Sequence, residues 1–398
     1  MYIGIRELIF GDDYEKNRWF MKIRNLKLKN YRNYSELNIN LDDKLNIFIG
    51  DNAQGKSNIL ESIYVLAVTK SYLSVKDKNL IKDGNDCCLL ESKISANEGN
   101  VKLNILITEK EKHVKINGKD IRKLVDYFSH FRVILFSPDN IGMIKDSPSV
   151  RRKFLNVEIG QINNGYVRSL QNYNAILKQR NEFLKICKMS KKINYDYLEI
   201  INEKFSLFAV SVIRERYKFI SLINEYLSDI YSEIMDVDNC QVKYVSTILW
   251  KDDEQEMIQD FNKYLNENID KDVLYGLTLI GPHRDDFKFF IGDKEMGVYA
   301  SQGQLRAAVL ALKLSEIEIF RKNTGDEPIL LLDDIFSELD LKKKNRLIKY
   351  IIDDVQTIIT TTDLHMIDEV LVNKAKIFEV ESGKIVKEVE RKVIQNGK

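Results

Sequence analysis

Hydrophobic and polar residues alternate along the first part of the chain in the way that β-strands do. Residues 21–41 alternate around a short turn, and residues 89–117 alternate up to Asn117-Gly118, a pair typical of tight hairpins. Between these segments, an apolar run at 44–49 ends next to a glycine, and residues 58–68 carry apolar side chains at helical spacing. The pattern therefore predicts a strand, a loop and a helix within a region that is otherwise mostly β.

A pattern typical of long helices begins at residue 151 and continues to about residue 268. This region contains no proline and almost no glycine, and its apolar stripes have the spacing of helices that pack into a core. It is too short for the long heptad arm of a coiled coil. Strands return after Leu274, a helix is predicted over 302–320, and the apolar run 329–332 opens a final alternation of strands and helices. The order predicts an α/β fold with a mainly helical second lobe.

The composition is that of a globular protein. Of the 398 residues, 44% are hydrophobic and 30% are charged, and there is no run of about 18 apolar residues such as a membrane span would need. Charged residues at 6–16 occupy the place of a signal peptide's apolar core, so we expect a cytoplasmic protein that does not bind a membrane. Residues 1–20 are either an extension or a mispredicted start, because Met21 could itself initiate the chain.

Charge and cysteine content restrict the chemistry further. The four cysteines show no metal-ligand spacing, so reduced structural thiols are expected. A net charge of +1 gives no overall attraction to nucleic acid, and any DNA binding must come from a local basic face.

The loop between the first predicted strand and helix has the pattern GxxxxGK[ST] of a phosphate-binding loop. It consists of Gly50, Asp51, Asn52, Ala53, Gln54, Gly55, Lys56 and Ser57, with Asn58 following in the helix. Glycines let the backbone N–H groups face the phosphates of ATP, Lys56 would reach the β and γ phosphates, and the Ser57 hydroxyl would bind Mg²⁺. The flanking strand and helix are the context that the motif requires, so the loop predicts an ATP site.

Two carboxylates, Asp333 and Asp334, follow the apolar run 329–332. By itself, such a strand end is compatible with an ordinary surface turn. After a phosphate loop it predicts the acidic half of a nucleotide site. Asp333 would hold Mg²⁺ directly or through a water molecule, and Asp334 would orient or deprotonate the attacking water as a general base. Lys56 and Asp334 are thus the predicted catalytic residues.

Two further motifs have the order found in ABC-type ATPases. The segment Ser301-Gln302-Gly303-Gln304 precedes a predicted helix upstream of Asp333, where such ATPases carry their signature, and Ser337 and Asp340 lie where they carry the D-loop. Alone, SQGQ is equally compatible with a serine-capped helix start. As a signature it would close over the γ-phosphate held by a partner subunit, so that ATP assembles a dimer and hydrolysis loosens it. The motifs therefore predict a homodimer with two composite sites.

With these motifs together, the chain resembles the RecF family, within the ABC group that includes SMC-type heads. The resemblance extends from Met21 to the C-terminus and rests on the phosphate loop with NILESI, on SQGQ and LLLDDIFSELD, and on LKLKNYRNY (26–34), LFSPDN (135–140), SPSVRRKFLN (147–156) and GPHRDDF (281–287). It implies a protein that binds gapped DNA in an ATP-dependent manner and, with RecO and RecR, helps to load the RecA recombinase. No catalytic action on the DNA is implied. The resemblance also implies an ABC-type ATPase head without a long coiled coil. We expect an ATP-binding lobe with a mixed sheet, formed by residues 21–136 and 326–398, and a helical lobe of residues 137–325 with the signature motif.

Departures from the wider ABC pattern predict slow hydrolysis, suited to a timing switch. Asp334 stands where a catalytic glutamate is common, and residues 360–362 are threonines where transporters place a switch histidine. His365 comes a few residues later and is expected on a helix surface. No glutamine occurs at 135–140, where Asp139 either contacts the water on the metal or caps a turn.

Contacts with DNA phosphates are expected from local clusters of basic residues. One cluster follows the phosphate-loop helix and the other lies in the helical lobe, and each is also compatible with an ordinary solvated surface. They comprise Lys70, Lys76, Lys78 and Lys82 in the first case, and Lys178, Arg180, Lys185, Lys188, Lys191 and Lys192 in the second.

Other residues of the family motifs have open interpretations. Arg32 and Asn33 either approach the nucleotide phosphates or the DNA, or belong to a plain strand turn. A salt-bridge network between the lobes is one interpretation for the remaining charged motif residues, which are Arg151, Arg152, His283, Arg284 and Asp285.

Competing classes of function are distinguished by features that they would require. An SMC-like structural ATPase needs a long heptad arm, a transporter subunit needs the switch histidine, and a related nuclease needs an additional acidic metal domain. A non-hydrolysing DNA-binding scaffold stays open if Asp334 is inactive.

Overall fold

The computed structural model describes residues 19–74, 76–96, 99–128, 130–237, 239–352 and 355–390. The expected N-terminal extension, residues 1–20, lies almost entirely outside these ranges. The chain divides into two compact units, one formed by Met1–Asn140 with Lys313–Lys398 and the other by Ile141–Leu312. The lobe boundaries expected at 136 and 325 stay a prediction.

The secondary structure elements are numbered in chain order. The strands are β1 (Trp19–Phe20), β2 (Lys22–Tyr31), β3 (Tyr34–Asn40), β4 (Leu45–Ile49), β5 (Cys87–Ala96), β6 (Gly99–Thr108), β7 (Lys112–Ile116), β8 (Lys119–Asp120), β9 (Val133–Phe136), β10 (Cys240–Val245), β11 (Asp286–Ile291), β12 (Lys294–Glu295), β13 (Asp326–Glu327), β14 (Ile329–Asp333), β15 (Thr357–Thr361), β16 (Lys376–Glu381) and β17 (Lys384–Val389). The helices are α1 (Lys56–Val68), α2 (Gly142–Lys145), α3 (Pro148–Ile162), α4 (Asn164–Ser190), α5 (Tyr195–Met235), α6 (Glu254–Glu267), α7 (Ile269–Tyr275), α8 (Met296–Tyr299), α9 (Gln302–Thr324), α10 (Leu341–Ile352) and α11 (Glu369–Lys374).

Besides the parallel pair of β1 with β13, the first unit contains two six-stranded sheets. One has the strand order β3-β2-β5-β6-β7-β8 and is antiparallel throughout, as the alternating sequence pattern predicts. The other has the order β17-β16-β4-β15-β14-β9, in which only β17 pairs antiparallel. The strands β14 and β15 are buried along their whole length, which explains why their sequences are apolar runs rather than alternations.

The register of the second sheet brings distant parts of the chain to one edge. Thr360 of β15 pairs with Asp333 of β14 on one side and with Phe48 of β4 on the other. Because parallel strands point the same way, the loop after β4 and the residues after β14 lie at the same carboxyl edge. This register places the phosphate loop beside the two predicted carboxylates.

The second unit is mainly helical, with a small antiparallel sheet of order β10-β11-β12. Helices α4 and α5 form a hairpin, and each begins with an asparagine cap whose side chain accepts from a backbone N–H group. The stripe of α4 that is buried in this unit contains Tyr173, Ile176, Arg180, Leu184 and Cys187. The predicted α/β fold with a helical second part is confirmed. Within the described residues, no helix is long and apolar enough to cross a membrane.

Candidate nucleotide-binding site

The phosphate loop connects β4 to α1 and folds around its own lysine. Gly55 has a φ of 115°, a left-handed value that glycine adopts without strain, and a Cβ there would lie 2.5 Å from the Asn33 side chain. The Lys56 ammonium donates to the carbonyl oxygens of Gly50 and Asp51, both at 2.7 Å. Burial lowers the pKa of Lys56, although the neighbouring aspartates, including Asp334, act in the opposite direction. The loop therefore holds a compact cation at the helix N-terminus, where a phosphate would bind.

Side chains from neighbouring segments brace the loop. Asn33 donates to the carbonyl oxygen of Gln54 at 2.9 Å and accepts from the Asn58 amide at 2.9 Å. The Gln54 side chain accepts from the Ser382 N–H group at 2.6 Å. Arg32 forms a bidentate pair with Glu61 of α1 at 2.8 and 2.5 Å. Arg32 and Asn33 thus fix the loop and its helix from within the unit.

Asp333 lies next to Ser57, although 276 positions separate the two residues in the chain. The Ser57 hydroxyl donates to Asp333 Oδ1 at 2.8 Å, and the Thr360 hydroxyl donates to the same oxygen at 2.7 Å. The other oxygen, Oδ2, accepts from the Tyr72 hydroxyl at 2.9 Å. A hydroxyl and a carboxylate in contact at a phosphate loop form a hard oxygen donor set, which fits Mg²⁺. Ser57 and Asp333 are therefore the residues that would hold the ion.

Asp334 has a different environment from its neighbour. Its backbone is left-handed, with a φ of 48°, and its N–H group donates to Thr360. Burial raises the pKa of the Asp334 carboxyl, and Asp333 raises it further, against the lowering effect of Lys56. A raised pKa suits a group that accepts a proton.

The predicted D-loop residues both lie at the surface after β14. Ser337 donates to the carbonyl oxygen of Asp334 at 2.8 Å. Asp340 accepts from the Lys343 N–H group at 3.0 Å and pairs with the Lys343 ammonium, so it caps α10.

The predicted signature begins α9 in the second unit. The Ser301 hydroxyl accepts from the Gln304 N–H group at 3.3 Å, and the Gln304 side chain accepts from the Ser301 N–H group at 2.8 Å. This reciprocal pair is a capping box. Ser301, Gln302 and Gly303 are exposed. The cap is thus present, and the role of the exposed residues at a partner's nucleotide stays a prediction.

The candidate DNA-binding residues fall into different classes of exposure. Lys70, Lys76 and Lys78 are exposed in the first unit, as are Lys178 and Lys185 in the second. Arg180 was expected at the surface together with Lys178 and Lys185, but this prediction is wrong. Its side chain is fully buried and pairs with Asp272 at 2.7 Å, because it occupies the apolar stripe of α4. Lys82 is half-buried and donates to the carbonyl oxygen of Asn33.

The charged motif residues without an expected role form contacts inside the second unit. Arg151 pairs with Asp286 at 2.6 Å and also donates to backbone carbonyls at 143–146. Arg152 donates to the carbonyl oxygen of Asp285, whose carboxylate accepts from the Tyr244 hydroxyl at 2.7 Å. These pairs belong to one unit, and the interpretation as a network between lobes does not describe them.

Sequence reasoning overlooked Tyr72, and no motif points to it. His365, expected on a helix surface, is exposed in a short 3-10 turn at Leu364–Met366. Asp139 lies in another such turn, at Pro138–Ile141, and its contact with a water on the metal stays a prediction.

Comparison with known proteins identifies the relatives of this arrangement. The family model of the RecF/RecN/SMC N terminal domain matches residues 22–386. The DNA replication and repair protein RecF of Macrococcus caseolyticus is 40% identical over 366 residues, which cover 92% of this chain and 99% of that protein. The protein of the same name from Ligilactobacillus salivarius is 39% identical over 373 residues, covering 92% of this chain and 98% of the relative.

Solved structures with a similar fold include members of the same family. The recombination mediator protein RecF-ATP of the RecFOR pathway superimposes with a TM-score of 0.87 at 30% identity, covering 94% of this chain and 99% of that one. The Smc head domain from Pyrococcus furiosus gives a TM-score of 0.51 at 16% identity, covering 93% and 96%, which shows a shared fold only. The predicted ABC/SMC-type head is thereby confirmed.

Proposed function

The chain belongs to the RecF family of DNA replication and repair proteins, and on that basis we propose that it is an ATP-dependent DNA-binding switch of recombinational repair. In this proposal ATP drives homodimerisation and the clamping of DNA, and slow hydrolysis releases it. The observation that carries the proposal is the contact between Ser57 and Asp333 beside the Lys56 ammonium. A phosphate loop and an acidic strand end in contact are what nucleotide binding requires.

The nucleotide would bind together with Mg²⁺, and Ser57 and Asp333 would hold the ion. When bound, the ion would neutralise charge on the phosphate oxygens. The chain's own groups would supply the rest: Lys56 and the loop N–H groups would bind phosphate, and Asp334 would orient or deprotonate a water molecule. The position of Asp334 directly after Asp333, at the end of β14, supports its assignment as a general base.

Exposure of the signature residues Ser301 to Gly303 supports closure over the nucleotide of a second subunit. A protein that ATP switches in this way acts by binding, and we propose that its ligand is gapped DNA. We further propose that it acts in the cytoplasm, where RecO and RecR would be its partners in loading RecA. The structures of relatives named as RecFOR-pathway mediators support this pathway.

The experiment that tests the proposal is sedimentation of the full chain with ATP, ADP or neither, each with and without gapped DNA. We expect dimers and DNA retention with ATP only. Lys56→Ala should abolish both effects, because the phosphates lose their compact cation. Undiminished ATP binding in this variant would overturn the assignment of the phosphate loop. Phosphate release measured with and without DNA separates a hydrolysing switch from a non-hydrolysing scaffold.

A further inference from the structure

Tyr72 contacts the proposed magnesium carboxylate from a segment that no motif covers. Its hydroxyl donates to Asp333 Oδ2 at 2.9 Å and makes a longer contact of 3.4 Å to the carbonyl oxygen of Ser57. Its ring packs edge-on against Tyr64 of α1, with the ring centres 5.4 Å apart. Tyr72 therefore touches both of the residues that would hold the ion.

The backbone around Tyr72 is fixed by its own local interactions. Thr69 ends α1 in a left-handed conformation with a φ of 59°. The Ser71 hydroxyl accepts from the N–H groups of Leu73 and Ser74 at 2.9 and 2.7 Å, and it donates to the buried Glu61 carboxylate. Ser71 thus anchors the turn to Glu61 of α1. The next residue, Tyr72, extends from this turn so that its hydroxyl reaches Asp333.

The hydroxyl contacts of Asp333 are distributed unequally between its two oxygens. Oδ1 accepts from Ser57 and Thr360, and Oδ2 accepts from Tyr72. Because the Tyr72 hydroxyl occupies Oδ2, the carboxylate cannot rotate freely, and Oδ1 stays directed toward Ser57. Groups that orient a metal ligand in this way commonly change metal affinity by about 10- to 100-fold when they are removed.

We propose that Tyr72 is a positioning residue that holds the Asp333 carboxylate in the orientation required for the divalent cation of the bound nucleotide. This inference rests on the proposed function, since it concerns the same site. It assigns Tyr72 no contact with the nucleotide. The contact of its hydroxyl with Asp333 is part-buried, and a hydrogen bond to a carboxylate also contributes to folding, so the test measures cation dependence separately from folding and from nucleotide binding.

The test uses the full chain and the variant Tyr72→Phe, which keeps the ring and removes only the hydroxyl. Binding of a fluorescent ATP analogue is titrated with Mg²⁺ and repeated with EDTA. We expect the half-saturating Mg²⁺ concentration to rise by about 10-fold, with binding in EDTA unchanged and a cooperative melting transition retained. Tyr275→Phe is the matched control, because Tyr275 is an exposed tyrosine of the second unit.

Thr360 gives a second measurement on the same carboxylate. Thr360→Val should raise the Mg²⁺ requirement in the same direction, and Thr360→Ser, which keeps the hydroxyl, should restore it. An unchanged Mg²⁺ requirement in a folded Tyr72→Phe protein overturns the inference, as does an equal loss of binding in EDTA. If the wild-type chain binds no ATP analogue under any condition, the proposed function fails as well, and the two failures are thus distinguishable.

Discussion

Asp333 and Asp334 are adjacent in the chain, yet they are suited to different tasks. Asp333 ends β14 and accepts hydrogen bonds from the hydroxyls of three side chains, which fix the orientation of its carboxylate toward the site of the cation. Asp334 turns out of the strand through a left-handed backbone and has a raised pKa. The division of roles expected from the DD pair thus has a physical basis in the strand end, although their catalytic roles stay a prediction.

Replacing Asp334 by asparagine should separate nucleotide binding from turnover. Asp334→Asn keeps the shape of the side chain and leaves Asp333 and Ser57 in place, so ATP should still bind. Hydrolysis should slow by about 10²-fold or more, the usual scale for the loss of a general base. Phosphate release gives the rate, and sedimentation should detect accumulation of an ATP-bound dimer. Turnover at the wild-type rate would remove Asp334 from the chemistry.

His283 should make the second unit sensitive to mild acid. Its Nε2 donates to the carbonyl oxygen of Thr278 at 3.0 Å, and its Nδ1 accepts from the Tyr173 hydroxyl at 2.5 Å. Burial, with smaller contributions from Arg284, Arg152 and Arg180, lowers its pKa from 6.5 to about 4. The unfolded chain therefore binds the proton more readily, and stability is lost as the pH falls from about 6.5 toward about 4.

The expected loss of unfolding free energy between about pH 7.5 and about pH 5 is about 1–2 kcal/mol from this group. Urea unfolding of the wild type and of His283→Gln at both pH values measures it. The variant should be less stable near neutral pH but should lose less on acidification. His365→Gln, which changes an exposed histidine, is the control and should keep the full pH dependence. An equal pH dependence in wild type and His283→Gln would contradict the assignment.

The segment that follows α1 combines exposed lysines with the contact to Asp333. Lys76 and Lys78 are exposed there, close in sequence to Tyr72. If these lysines contact DNA phosphates, the double variant Lys76→Glu/Lys78→Glu should weaken binding to gapped DNA and reduce the slope of log affinity against log salt concentration by about 2, or about 1 for each contact. Fluorescence anisotropy over a range of salt concentrations measures both.

Lys178→Glu/Lys185→Glu is the comparison for this prediction, since it reverses the same number of exposed charges in the second unit. A loss confined to the second pair would place the DNA contacts on the α4 surface instead. No change in either variant would show that both clusters are solvated surfaces.

The sequence predicted those elements whose pattern is local. The loop at 50–57 lies between a strand and a helix as expected, because glycine spacing and apolar periodicity are properties of neighbouring residues. The buried position of Arg180 was also readable, since it follows Ile176 and precedes Leu184 by one helical turn each, on the apolar stripe. Arg180 was expected at the surface only because it is charged and lies close to several lysines in the sequence.

The contact between Tyr72 and Asp333 has no such local signal. The two residues are 261 positions apart, and they meet only because β14 inserts between β9 and β15 while α1 packs nearby. Strand order in a parallel sheet is set by packing of the whole unit, and a single sequence does not display it. The contact of Tyr72 with Asp333 therefore became visible only in three dimensions.

The phosphate loop and the signature belong to different units of the chain, and the composite-site mechanism assigns them to different nucleotides. Ser301→Arg tests this assignment, because it places a bulky cation at the proposed closing interface and leaves the phosphate loop of the same subunit unchanged. ATP should still bind. Dimerisation, hydrolysis and ATP-dependent DNA retention should fail together, since each site lacks its lid on the γ-phosphate. Normal dimerisation and hydrolysis in this variant would reduce SQGQ to the helix cap.

Mixing two inactive variants provides the decisive control for the composite-site mechanism. A Ser301→Arg subunit has an intact phosphate loop, and a Lys56→Ala subunit has an intact signature. Their heterodimer therefore contains one complete site and one site in which both halves are altered. The mixture should recover ATPase activity that neither variant shows alone, and the activity should rise and then fall as the ratio of the two is varied. Since neither variant carries both intact halves, recovered activity can arise only from a site shared between subunits.

Heterodimers that sediment as such but recover no activity would have two explanations. Either the two sites are strictly coupled, or each subunit closes over its own nucleotide. A heterodimer of wild type with Lys56→Ala separates these two explanations. Strict coupling would leave that heterodimer inactive, whereas independent subunits would give it half of the wild-type rate.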